Sequence, residues 1–83
     1  MSIDYSKLRG VTARKITAAL RSDGFYLRSQ RGSHQRYHHP DGRKVTVSYH
    51  RSGDAFRPKT LRSIIERQAE WTENDLHRLK LLK

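Results

Sequence analysis

The chain has no cysteine among its 83 residues, which excludes disulfides and thiolate metal sites, the usual staples of small secreted domains. Acidic residues are few, 8 against 18 Lys and Arg, and they are scattered singly, so the carboxylate cluster that two-metal nuclease chemistry needs is missing. No stretch approaches the length of a membrane span, and Met1-Ser2-Ile3-Asp4-Tyr5-Ser6-Lys7 lacks the apolar run of a signal peptide. The first amphipathic segment also lacks the bulky Trp/Phe/Leu face of an interfacial helix. These absences predict a soluble, cytoplasmic protein that does not engage a membrane and needs no cofactor. At this length there is room for one domain, 1–83, close to the size at which a single small core is only marginally sufficient.

What is present is positive charge. The formal net charge is +10 and the pI near 10.7, which favours a polyanionic partner, because each cation set against a phosphate releases condensed counterions. Residues 1–57 carry twelve Lys/Arg and four acids, net +8, while 58–83 carry six and four, net +2. The anion-binding surface is therefore expected in the N-terminal two thirds.

Secondary structure follows from periodicity. Thr12 suits an N-cap for a helix to about Asp23, with Ala13, Ile16 and Leu20 on one face and Gly24 as its stop. Val11 and Ile16 are spaced for a hydrophobic staple, and Leu20 and Phe25 for the contact that accompanies a glycine C-cap. Phe25 to Gln30 alternates as a half-buried strand, Phe25 and Leu27 on one side, Tyr26 and Arg28 on the other. After a turn at Arg31-Gly32-Ser33, a second strand from His34 to about His39 directs Tyr37 to the core and His34, Arg36 and His38 away from it. Pro40-Asp41-Gly42 turns again, and Lys44 to Tyr49 alternates with Val45, Val47 and Tyr49 inward. Pro58 opens a second helix carrying Leu61, Ile64, Ile65 and Ala69, and Thr72-Glu73-Asn74-Asp75 reads as a capping box for a third, with Leu76 and Leu79 on its apolar side. Trp71, between the two, reads as a packing anchor.

Chemistry concentrates between Arg28 and Arg51, where six Lys/Arg face one acid, Asp41, and where four of the five histidines lie. Histidine titrates near neutrality, so His34 among arginines is a candidate general acid or base acting on a phosphodiester. Gly32 permits a tight hairpin and, lacking a Cβ, also permits close approach of a nucleic-acid backbone, with the Ser33 hydroxyl as donor. Arg28, Arg36 and Lys44 are candidate phosphate grips, and Lys59 a further one at the start of the second helix. Tyr26 is a candidate base-stacking residue, whereas Tyr37 belongs to the core. His34, His38, His39 and His50 raise the question of zinc, but with no cysteine and no pair at helical i, i+4 spacing no metal site is expected.

The same residues resemble the HicA family of small bacterial toxins. The resemblance rests on Asp23-Gly24-Phe25, on Gly32-Ser33-His34 with Tyr37, on His39-Pro40-Asp41-Gly42-Arg43 leading into Val45-Thr46-Val47, and on Pro58-Lys59-Thr60-Leu61-Arg62-Ser63-Ile64. It implies an α+β fold of the double-stranded-RNA-binding-domain kind, α-β-β-β-α, with a three-stranded antiparallel sheet and helices on one face. It also implies a metal-independent endoribonuclease that cleaves mRNA, with His34 as the catalytic histidine, until a HicB-type antitoxin covers the site. The segment 72–83 is an extension relative to the shortest members. A non-catalytic RNA-binding module is the alternative from a different class, and a DNA-binding domain using a later helix as its reader ranks below it, because the densest basic cluster lies on the strands.

Overall fold

A computed structural model describes residues 3–83; Met1 and Ser2, where the segment read as lacking a signal-type run begins, lie outside the described residues. A 3-10 turn (Tyr5–Leu8) precedes α1 (Ala13–Ser22). Both ends of α1 are formed as the sequence expects. Thr12 caps it, its hydroxyl accepting from the Lys15 N–H at 3.4 Å. The first-turn N–H groups of Ala13 and Arg14 donate to the carbonyls of Asp54 and Ser52, at 2.8 and 2.9 Å. The loop before the second long helix thus fills this helix N-terminus. At the other end the Phe25 N–H bonds the Leu20 carbonyl and the Gly24 N–H that of Arg21, a Schellman closure with Gly24 at φ +101°. Leu20, Phe25, Val11 and Ile16 are all buried in one core.

Strands β1 (Tyr26–Arg31), β2 (His34–His38) and β3 (Lys44–Ser48) form an antiparallel sheet in the order β1-β2-β3. Gly32-Ser33 is the two-residue β1–β2 turn; Gly32 has φ +58°, and Ser33 has not gone positive, as in a type II′ hairpin. Tyr37, Val45 and Val47 point inward and are buried. Leu27 shares the inner side with Phe25 as expected, yet it is 37% exposed. It lies opposite Tyr37, on the inner face, but β1 is an edge strand and runs past the cover of the helices. A bulge between Leu27 and Ser29 then breaks the alternation at Arg28, so Ser29 joins the outer row with Arg36. Tyr49, expected to be buried, follows the end of β3 and is half-buried, its N–H donating to the Ser33 carbonyl at 3.2 Å.

The second helix is not continuous α-helix. α2 (Pro58–Arg62) widens into a π-helical segment, Ser63–Gln68, which ends with Ala69 N–H bonding the Ile64 carbonyl and Glu70 at φ +57°. This segment runs beside β3, and the Gln68 side chain accepts the Thr46 N–H at 2.8 Å, closing part of that sheet edge. α3 (Glu73–Arg78) carries the expected capping box between Thr72 and Asp75 and buries Leu76, with Leu79 and Leu81 beyond its end. The architecture is the expected α-β-β-β-α with an additional C-terminal helix.

Candidate nucleic-acid interface

The helices pack against the inner face of the sheet, which leaves the outer face as a platform. Strand register sorts its residues into three rows: Tyr26, His38 and Lys44; Ser29, Arg36 and Thr46; Arg31, His34 and Ser48. The bulge puts Ser29 and Arg31 on this face, where simple alternation from Tyr26 would have put Arg28 and Gln30.

His34 is exposed at the hairpin end of β2. It lines a shallow depression of about 520 Å³ together with Ser29, Gln30, Arg31, Arg36 and Thr46. Arg36 is two residues along the same strand, roughly 6–7 Å away at ordinary strand rise. A phosphodiester laid in the depression can therefore meet an imidazole and two guanidiniums at once. Gly32 adjoins it, and an added Cβ there would meet nothing within 4 Å, so the glycine is required by its φ and not by crowding. The Ser33 hydroxyl lies 3.4 Å from that of Ser48.

The other expected phosphate grips are split between two further places. Lys44 pairs across the sheet with His38, and the charges of Lys44, Arg28 and Arg36 act on the His38 ring. Desolvation first, then those three cations, hold His38 below its usual value of 6.5, which favours the uncharged imidazole. Lys59 lies beyond β3, lining a groove of about 660 Å³ between that strand and α2, with Arg57, Arg62 and Arg67 nearby. Thr46 borders both this groove and the depression at His34, so the basic surface is continuous across β3. Sequence reading missed Arg31, displaced in face by the bulge, and Arg57, Arg62 and Arg67, which have no periodic tie to the strands.

His39 takes no part in this surface. The Asp41 backbone N–H donates to its Nδ1 at 3.0 Å, which leaves Nε2 to donate to the Asp23 carbonyl at 2.8 Å. Its ring meets Phe25 edge-on with centroids 4.9 Å apart. Arg43 is likewise engaged inside the fold, with Asp41 at 2.7 Å, the Ala69 carbonyl at 2.6 Å and Asp23 at 3.2 Å. His39-Pro40-Asp41-Gly42-Arg43 is thus a structural turn. Among the described residues no group of three or more His, Cys, Asp or Glu is placed to hold a metal ion, and no helix is long and apolar enough to cross a membrane.

Comparison with curated proteins finds no match. The family model described as HicA toxin of bacterial toxin-antitoxin matches residues 13–71, from the first residue of α1 to Trp71, stopping short of α3. The match takes in most of the chain, and the protein belongs to the HicA toxin family.

Proposed function

We propose that the protein is a metal-independent endoribonuclease that cleaves mRNA in the cytoplasm, the toxin half of a type II pair. The whole of 1–83 is its RNA-cleaving domain, with 72–83 as a helical extension. The observation that supports this most is the exposed His34 in an open depression that it shares with Arg31 and Arg36.

In this reading His34 takes the proton of a ribose 2′-hydroxyl. The 2′-oxygen attacks the adjacent phosphorus and the bond to the 5′-oxygen breaks. That oxygen leaves with a proton from the imidazolium or from water, and a 2′,3′-cyclic phosphate remains. Arg36 neutralises the charge that builds on the phosphoryl oxygens, Gly32 lets the backbone come close, and the Ser33 hydroxyl donates to it. Arg28, Lys44 and Lys59 hold flanking phosphates. General acid–base catalysis contributes about 10²–10⁴-fold, so positioning by these cations supplies much of the remaining rate. A HicB-type antitoxin of acidic character covers this face and stops cleavage, with association that weakens in salt.

The test is incubation with a long unstructured RNA in excess EDTA, beside His34→Ala confirmed as folded by circular dichroism. Cleavage by the unsubstituted protein alone is the expected result. Intact RNA in both lanes with equal binding would overturn the nuclease reading in favour of a non-catalytic RNA-binding module.

A further inference from the structure

The row of the sheet farthest from the hairpin carries an aromatic pair that the proposed chemistry does not use. Tyr26 is 49% exposed, one of two large hydrophobic side chains so exposed among the described residues. Its partner Leu27 faces the other way, toward the helices. Tyr26 points out of the open face, and its ring centroid lies 6.3 Å from that of His38 with the planes tilted by 58°. The two rings meet obliquely, and about half of the tyrosine stays exposed to solvent.

The surroundings of this ring are cationic. Lys44 is the cross-strand neighbour of His38, and Arg28 and Arg36 also act on it. His38 and His34 are four residues apart on one strand, about 13 Å at a rise of ~3.3 Å per residue, within the reach of a short oligonucleotide. An open aromatic face flanked by cations, on the same surface as a phosphate-binding depression, is the arrangement that stacks an unpaired base while holding its backbone. A duplex offers no such base, because its base faces are already covered by stacking.

We infer that Tyr26, with His38 beside it, is a base-stacking subsite for a nucleotide flanking the one at His34, and that the strand bound across the sheet is single-stranded RNA. The inference rests on the sheet face being the RNA surface, as proposed above, and not on cleavage.

Binding is therefore measured apart from cleavage, by fluorescence anisotropy in a His34→Ala background. The probes are an unstructured single-stranded RNA and the same strand annealed to its complement. Adding Tyr26→Ala is expected to weaken single-strand binding about 5- to 150-fold, while Tyr26→Phe, which keeps the ring, stays close to the parent. The duplex is expected to bind more weakly and to be indifferent to Tyr26→Ala. Equal single-strand binding by parent and Tyr26→Ala would overturn the subsite, as would a duplex bound as tightly as the single strand. Absence of RNA binding in every form overturns it too. Binding without cleavage, read separately with His34 intact, would sink the nuclease reading and leave this one standing.

Discussion

The indole N–H of Trp71 donates to Oδ2 of Asp23 at 2.9 Å, tying the residue before α3 to the C-cap of α1 across 48 positions of sequence. The same carboxylate receives Arg78 on its other oxygen at 2.8 Å and faces Arg43 at 3.2 Å. The Asp23 side chain is only 10% exposed, and Trp71 is 3% exposed. A carboxylate so largely covered is tolerable because its donors satisfy it, and a buried indole because its N–H has an acceptor. Phe25 fills the space between, with the Arg43 guanidinium 4.9 Å from its ring and Trp71 edge-on at 6.5 Å. The Asp23-Gly24-Phe25 and His39-to-Arg43 motifs are therefore one structural unit, which leaves the Gly32-Ser33-His34 motif to the exposed face.

Removing the two partners has unequal consequences. Trp71→Phe removes the indole N–H and part of the ring's volume while Asp23 keeps Arg43 and Arg78, so a loss of about 1–3 kcal/mol is expected. Asp23→Ala leaves the buried indole N–H with no acceptor and takes one acceptor each from Arg43, which keeps Asp41 and the Ala69 carbonyl, and Arg78, which keeps Asp75, and should cost more, about 3–5 kcal/mol. Urea unfolding of both variants reads this directly; equal midpoints would show that the carboxylate does not hold the unit together.

Acid should weaken the same junction. Burial by itself raises the Asp23 carboxyl, but hydrogen bonds from Trp71 and Arg78 and the charges of Arg43 and Arg78 outweigh it, and the group lies below 3.8. The backbone N–H of Arg43 lowers Asp41, and that of Thr72 lowers Asp75. A carboxyl lowered by folding contributes stability that is fully present above its unfolded value and is lost as pH falls through its folded one. Urea midpoints are thus expected to decline slightly below about pH 6.5, where His38 is held low by the fold, and to fall more steeply below about pH 5 as these carboxyls protonate. Asp23→Asn, already less stable, should show the shallower fall.

The parts of this fold that a sequence can show are those decided within a few residues. Thr12 and Gly24 delimit α1, Thr72 and Asp75 open α3, and Val45 and Val47 mark the inner face of β3, each through local spacing. The bulge at Arg28 is different, since register belongs to a pair of strands and an extra residue on one leaves no mark in its own pattern. The π-helical segment was hidden for a related reason: Leu61, Ile64 and Ile65 suit an α-helix, and the widening brings the Gln68 side chain to the edge of β3. At the candidate site, His34 and Arg36 could be placed together by their period-two spacing. The separation of Lys44 from Lys59 could not, because it depends on how α2 lies beside the sheet.

Two glycines with positive φ should respond differently to alanine. At Gly32 the added methyl has open space, so only the left-handed backbone resists it, at a cost of roughly 1–2 kcal/mol. At Gly24 the methyl would come within 2.9 Å of His39 Nε2 and displace the ring that bonds the Asp23 carbonyl. Gly24→Ala is expected to lower the thermal midpoint more than Gly32→Ala.

The C-terminal helix is short, Glu73–Arg78, and a helix of that length does not persist by propensity alone. It is held by Leu76, which is fully buried, by Leu79 and Leu81, and by Arg78 reaching Asp23. Leu76→Ala should cost about 2–5 kcal/mol, measured by urea unfolding. A small loss would mean that α3 is attached loosely and that the unit at Trp71 is complete without it.

Arginines of this protein divide into those that face RNA and those that hold the fold, and salt dependence separates them. Arg31 and Arg36 line the depression at His34 and are exposed. Arg43 is spent on Asp41, Asp23 and the Ala69 carbonyl. Each phosphate neutralised on a single strand steepens the dependence of log affinity on log salt by about 0.7. Arg31→Ala and Arg36→Ala should therefore each flatten the slope by roughly that amount while the urea midpoint stays near that of the unsubstituted protein. Arg43→Ala should do the reverse, lowering stability by about 2–4 kcal/mol, because it leaves two carboxylates and a buried carbonyl short of a donor. Its slope, in whatever fraction remains folded, should match that of the parent. A flattened slope for Arg43→Ala with stability intact would place RNA at the Pro40 turn and away from the open face of the sheet.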